Sequence, residues 1–317
     1  MILDDILFPP IADDPPKLSV IVVVKNGLAY LLETLMTISQ QSFRDFEVII
    51  IDGASTDGTL EILRLIPNIV VKSSPDHGYH EAFNSGIEIA RGRYIIQCCV
   101  SDGFHNATWF AEAISYLEEN PHFALVWGFP QNLEANGELG EVSFPDFHHL
   151  SAPRGGSFYF YWLTYGLHFP EGNLIIHKSV LQKIFPSFDI FKPNYGDLTF
   201  DPWLEANFRF HQMGYLSGHV RKIANYGRRH LDSITLEDSK TSRIDLIVSD
   251  YISKLTNERL AFKQASRKSF RSVDERLYRV KFQHLQFFIS WILVFFLKNA
   301  RKLINALKRR LNFISYP

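Results

Sequence analysis

Asp52 closes the apolar run Ile49-Ile-Ile, and Gly53, Ala54, Ser55, Thr56, Asp57 and Gly58 follow it. A carboxylate held at a strand end beside permissive backbone can accept from a base or ribose while the main chain approaches closely. Leu18-Ser-Val-Ile-Val-Val-Val24 ends in a similar way, in Lys25-Asn26-Gly27. Buried parallel strands have this pattern when their carboxyl ends open into a ligand crevice. Lys25 and Asn26 then face that crevice, where Lys25 either touches phosphate or stays a solvated surface charge. Capping of the next helix suits Asp57 better than Asp52. Much later, Arg228-Arg-His230 follows a late strand. It is a cationic cluster able to hold a diphosphate or to balance an acidic domain.

These residues need a frame, and the hydrophobic periodicity supplies one. Strands are expected at Leu18–Val24, Glu47–Asp52, Ile69–Lys72, Tyr94–Val100 and Ala124–Gly128. Helices are expected between them at Ala29–Gln41, Leu60–Ile66, Tyr79–Ala90 and Ala107–Glu119, the last capped by Asn106 and stopped by Pro121. Strands alternating with helices predict an α/β fold with a doubly wound, mostly parallel sheet. Asn136-Gly137 reads as a hairpin turn. Asn173–His177 reads as a strand and Lys178–Ile184 as a helix. Pro202–Met213 reads as a further helix, with Asp201 as its N-cap and Pro202 at its first position. Residues 143–172, rich in aromatics, Pro and Gly, show no clear period and read as acceptor-side loops.

The charge is unevenly spread. The whole chain has a net charge of −1, yet residues 251–317 hold 15 of its 33 basic residues and 3 of its 34 acidic ones. Such a split points to a separate anionic partner for the tail. Leu285–Leu297 is apolar apart from Gln286 and Ser290, but its 13 residues fall short of a bilayer span. A spanning helix needs roughly 20. Lys298, Arg301, Lys302, Lys308, Arg309 and Arg310 follow, interleaved with Leu303, Ile304, Leu307 and Leu311. That combination suits an interfacial helix on anionic lipid, or else a helical hairpin packed on protein. Its dense Phe and Leu content speaks against nucleic acid as the partner. The two cysteines, Cys98 and Cys99, are adjacent on a predicted strand, point to opposite faces and read as reduced, buried thiols. No basic region followed by a long apolar core opens the chain. Residues 1–16, with four prolines, read as a loose lead-in or a surface clasp.

Five segments in order resemble family 2 glycosyltransferases of the GT-A fold. They are Lys17–Asn26, Ile49–Thr59, Ser74–Ile87, Ala90–Gly103 and Arg228–Thr235. The resemblance covers roughly residues 17–235 and implies a catalytic domain over 17–240, with 241–317 as a helical, basic, membrane-associating extension. It implies an inverting transfer of a sugar from a nucleotide-diphosphate donor to a saccharide or lipid-linked hydroxyl acceptor. The setting would be surface polysaccharide or glycolipid assembly, on the cytoplasmic face of the membrane. The donor-binding residues it implies are Lys25, Asn26, Asp52, Asp76, Asp102, Arg228 and His230.

Asp102 matches the family's metal-binding carboxylate motif, which implies Mg²⁺ or Mn²⁺ as cofactor. The sequence departs from the family at Gly103, where a second acid is usual. Asp102 then binds metal alone, or with help from His105, or the site uses metal weakly or not at all. The family's base position, counted back from Arg209, falls on Trp203. Asp201, two residues earlier, is the preferred base, with Glu205, Asp197 and Glu171 as alternatives. Both departures keep open a non-catalytic nucleotide-sugar-binding partner of a glycosyltransferase complex. A dinucleotide oxidoreductase would need Gly-x-Gly-x-x-Gly after the first strand, where this chain has Lys25-Asn26-Gly27.

Overall fold

The computed structural model describes residues 3–76, 78–142, 169–185, 203, 206–207, 209–210, 213 and 215–229. Asp197, Asp201, Glu205, His230, the loops of 143–168 and the 241–317 extension lie outside them.

Four parallel strands set the frame: β1 (Leu18–Val24), β2 (Phe46–Asp52), β3 (Ile69–Ser73) and β4 (Tyr94–Cys99). Their order in the sheet is β3-β2-β1-β4. Val24 pairs with Asp52, Asp52 with Ser73, and Val23 with Cys99. The strands therefore finish at one edge, and the turns that follow them gather there.

Helix α1 (Leu28–Ser39) leads into β2, α2 (Thr59–Leu63) into β3, and α3 (Tyr79–Ile89) into β4. Side chains alternate across the sheet, so each face builds its own core. Ile21, Ile49 and Ile51 pack with Ala82, Phe83 and Ile87 of α3. Val20, Val22, Val24, Val48 and Ile50 pack on the other face with Leu31, Leu35 and Ile38 of α1. Gly86 permits the close approach of α3, because a Cβ there would lie 2.5 Å from Ile21 Cγ2.

The second half of the sheet is mixed. β5 (Gly103–Phe104) precedes α4 (Trp109–Glu119), β6 (Leu125–Leu133) and β7 (Leu139–Val142). β8 (Ile175–His177) runs antiparallel between β4 and β6, and leads into α5 (Lys178–Ile184). β9 (Ser217–Arg228) runs parallel to β6 and antiparallel to β5. The expected hairpin is present: Gly137 takes φ +84°, and Asn136 Oδ1 accepts from Glu138 N–H at 3.0 Å. Trp203, Ala206, Asn207, Arg209 and Phe210 are helical, as expected for that segment.

Two local expectations shift, and one open reading is decided. α4 starts at Trp109, and Asn106 instead accepts from the Thr108 N–H and hydroxyl in a turn before it. β6 runs on through Pro130, where its register with β9 slips. The lead-in is a clasp: Ile6 and Phe8 are buried, and Arg44, Asn68 and Arg91 donate to its Leu7, Phe8 and Ala12 carbonyls. Cys98 is buried, Cys99 half-buried, and both are free thiols.

Buried Glu47 ties β1 and β2 to the start of β4. It accepts from the Ser19 hydroxyl at 2.6 Å and from Arg91 N–H and Nε at 2.7 and 3.0 Å.

His177 carries a pH signature. It is 4% exposed, with its ring centroid 4.6 Å from that of Tyr94. Burial, reinforced by the Arg93 charge, pulls its imidazole from 6.5 down to about 4. On acidification the unfolded chain therefore takes up the proton first. The contribution of neutral His177 is intact above about pH 6.5 and is lost as pH falls toward 4. The gap is worth about 3 kcal/mol. Urea melts of wild type and His177→Phe between pH 7 and 4 should diverge, the variant losing less stability. Equal slopes would remove His177 from the acid response.

Candidate active site

The edge where the strands end is built from two linked turns. In the first, Asp52 is fully buried. Its carboxylate accepts from Ser55 N–H at 3.3 and 3.2 Å and from the Ser73 hydroxyl at 2.6 Å. Asn26, with φ +52°, locks the β1 turn to the β2 turn: its N–H donates to Ser55 Oγ and its Oδ1 accepts from Thr56 N–H, both at 2.8 Å. Asp57 accepts from Leu28 N–H and from the Thr59 N–H and hydroxyl, so it has the capping role expected of it. Desolvation pushes its carboxyl up, but those hydrogen bonds outweigh it and hold it below the usual range.

Asp76 folds over this turn. Its Oδ1 accepts from Gly78 N–H at 2.9 Å, and its Oδ2 lies 2.7 Å from where a Cβ on Gly53 would be. Glycine at 53 is what lets the two aspartates approach. Lys25 and Asn26 are exposed beside them.

The second turn follows β4. Ser101 takes φ +90°, and the Thr34 hydroxyl on α1 accepts from Ser101 N–H and donates to the Asp102 carbonyl at 2.7 Å. Gly27 fits β1's turn against this one, since a Cβ there would come 2.8 Å from Val100 Cγ1. Asp102 Oδ1 accepts from the backbone N–H of Arg228 at 3.2 Å. Burial pushes the Asp102 carboxyl up to about 7, against the lowering effects of the Arg228 N–H and guanidinium. Gly172 brings the 169–173 segment, and with it Glu171, to the same carboxylate: a Cβ on Gly172 would sit 3.7 Å from Asp102 Oδ2.

Gly103 has a physical reason. It pairs with Tyr226 across β5 and β9, and a Cβ on it would lie 2.4 Å from the Tyr226 hydroxyl oxygen. That hydroxyl donates to Glu33 Oε1 at 3.1 Å, and the same oxygen takes the Arg228 guanidinium in an ion pair. The guanidinium also lies over the Tyr30 ring, 5.0 Å from its centroid. Burial first, then the Glu33 carboxylate, push the Tyr226 phenol well above its usual value.

Glu33, Thr34 and Tyr226 are thus site residues that sequence reasoning missed. Their one signal was Gly103 itself, a glycine directly after an acid at a strand end. His105 packs edge-on against Tyr226, and its buried Nε2 has no hydrogen-bond partner among the described residues.

These residues do not suit a metal held by two carboxylates. Asp102 is the one acid of the motif, and the space of the second holds a phenol. Glu33 is paired with Arg228, whose charge would repel a cation. Among the described residues no group of three His, Cys, Asp or Glu side chains is placed to hold a metal ion.

The expected base position is also filled. Trp203 is 3% exposed, and its indole N–H donates to Tyr79 Oη at 2.9 Å and Gln97 Oε1 at 3.2 Å. It is a core residue.

The family model for glycosyl transferase family 2 matches residues 19–185, more than half of the chain. The chain belongs to this family. A PGL/p-HBAD biosynthesis glycosyltransferase of Mycobacterium bovis is 30% identical over 118 residues, 36% of this chain and 46% of that protein. The match thus spans about half the length of such relatives. The putative glycosyltransferase EpsE of Bacillus subtilis is 24% identical over 75% of this chain and 86% of its own. Among solved structures, residues 1–349 of TarS from S. aureus, in complex with UDP-GlcNAc, align with a TM-score of 0.55 and 19% identity. They cover 74% of this chain and 66% of that one, and share the GT-A fold.

Proposed function

We propose that this family 2 chain transfers a sugar from a nucleotide-diphosphate donor to a hydroxyl acceptor, with inversion, in assembly of a surface polysaccharide or glycolipid. The observation that carries the reading is the alignment of strand ends. β1, β2 and β4 bring Asn26, Asp52 and Asp102 to one edge, with Asp76 against Gly53 and Arg228 against Asp102. Relatives named for glycan assembly, and a structural neighbour holding UDP-GlcNAc, support it.

Each residue has a part. The β2 turn, held by buried Asp52 and closed by Asp76, receives the nucleoside. Asp102 receives the sugar-side hydroxyls, and Arg228, with His230, neutralises the departing diphosphate. The acceptor oxygen attacks the anomeric carbon while its proton passes to a carboxylate, assigned to Asp201. The bond from that carbon to the diphosphate oxygen breaks in the same displacement. The basic extension of 241–317 is proposed to rest on anionic lipid at the cytoplasmic face. The full chain should co-sediment with anionic vesicles, and truncation after about residue 280 should release it; a full chain left in the supernatant ends that assignment. Among the described residues no helix is long and apolar enough to cross a membrane.

The deciding experiment is calorimetric titration with UDP, GDP, dTDP and CDP. Binding of one of them names the donor class. Binding of none removes the donor site. Turnover on any acceptor rejects the alternative of a non-catalytic partner, which the Trp203 and Gly103 departures favour.

A further inference from the structure

We propose that the donor diphosphate is held by Arg228 as a built-in cation, so that nucleotide binding needs no divalent metal. This rests on the nucleotide-donor reading above. In a carboxylate pair, the side chain of residue 103 would carry the second metal ligand. Here the Tyr226 hydroxyl lies 2.4 Å from where that Cβ would be, within the reach of an aspartate's own oxygen from its Cβ. A phenol that donates to Glu33 is no substitute for a carboxylate toward Mg²⁺ or Mn²⁺, which take hard anionic oxygens.

What stands beside Asp102 instead is a guanidinium, held by Glu33 in an ion pair. Arg228 gives its backbone N–H to Asp102 Oδ1, and its side chain is 10% exposed. Glu33 and the Tyr30 ring fix the guanidinium from two sides. Among the described residues its buried Nε–H has no acceptor. A buried donor lacking a partner calls for one. A guanidinium offers a planar fork of donors that matches phosphate oxygens. Arg228 is therefore proposed to hold the diphosphate by directed, charge-assisted hydrogen bonds in place of a metal. Tyr226 and Glu33 are positioning residues: one fills the second-acid space, the other aims the guanidinium.

The test uses the full chain. Calorimetry with the four nucleoside diphosphates is run in EDTA and in Mn²⁺, and free Mn²⁺ is followed by electron paramagnetic resonance with and without protein. The expected result is a Kd within about threefold between the two conditions, with no Mn²⁺ uptake beyond that of the nucleotide alone. Arg228→Gln should weaken binding in EDTA by at least about tenfold, a loss typical of a charged hydrogen bond, with Arg228→Lys in between. Gly103→Asp combined with Tyr226→Ala should gain Mn²⁺ uptake, since it restores the acid and its space. Tenfold weaker binding in EDTA, or Mn²⁺ uptake by the wild type, overturns the metal-free site and leaves the nucleotide reading standing. Unchanged binding by a folded Arg228→Gln overturns the role of Arg228. No binding in either condition overturns both readings. The wild-type Mn²⁺ titration decides the metal question even if a variant fails to fold.

Discussion

Asp102→Ala is expected to lower kcat/KM by about 10²–10³-fold, the loss seen when one preorganised polar group is removed from a reacting centre. The fold should tolerate the change. The carboxylate is buried enough that its charge is disfavoured, with its carboxyl raised to about 7. Among the described residues its carboxylate accepts one hydrogen bond, from the Arg228 N–H. What it gives up in stability by being buried points to function rather than folding. The Thr34 clamp on this turn acts on the Ser101 N–H and the Asp102 carbonyl, so it survives the substitution. Thermal melts should therefore stay close to wild type while turnover collapses. Wild-type turnover in the variant would take Asp102 out of the donor site.

Much of the frame could be read from residue order. The run Leu18–Val24 is β-branched almost throughout, and a strand buried on both faces needs such a run. The same holds for Phe46–Asp52, and α5 falls at Lys178–Ile184 as read. The parts that escaped are those with no period of their own. β5 is two residues long, and it exists because Gly103 finds Tyr226 across a gap of more than a hundred residues. β6 outruns its expected end because Pro130 falls where the register with β9 slips. A proline is tolerated in a strand at such an irregularity. The reversal of β8 between β4 and β6 follows from chain connections, which hydrophobic pattern does not encode.

The site divides in the same way. A carboxylate closing a strand and a glycine-rich turn after it are local features, so Asp52, Asn26 and Asp102 could be picked out. Partners brought in by the fold could not. Glu33 reads as an ordinary polar residue on an amphipathic helix until Arg228 and Tyr226 meet it. Gly103 reads as a missing acid until the phenol filling its space is seen. Asp52 reads as a direct nucleotide contact, and the structure buries it fully with hydrogen bonds from Ser55 and Ser73.

Asp201→Asn is the substitution expected to separate chemistry from binding. Removing a general base costs about 10²–10⁴-fold in turnover, while the proposed donor contacts of Asp52, Asp102 and Arg228 are unchanged by the substitution. The Kd for nucleotide should therefore hold while kcat falls. The position the family would use is Trp203, and it is committed to the core through Tyr79, Gln97 and the rings of Phe83 and Phe185. A carboxylate at 203 would have to be buried among those rings, so the proposed acceptor is sought at other carboxylates. Asp201 stands two residues before Trp203 in the sequence, directly ahead of Pro202, and is the position assigned to the base here. Glu205 and Asp197 are nearby in sequence, and Glu171 adjoins Gly172, whose Cβ position would lie 3.7 Å from Asp102 Oδ2. Single-turnover rates with the nucleotide site saturated discriminate among them. A fall in Asp201→Asn alone keeps the base there, and an unchanged rate moves it to whichever of Glu205, Asp197 or Glu171 shows the loss when amidated.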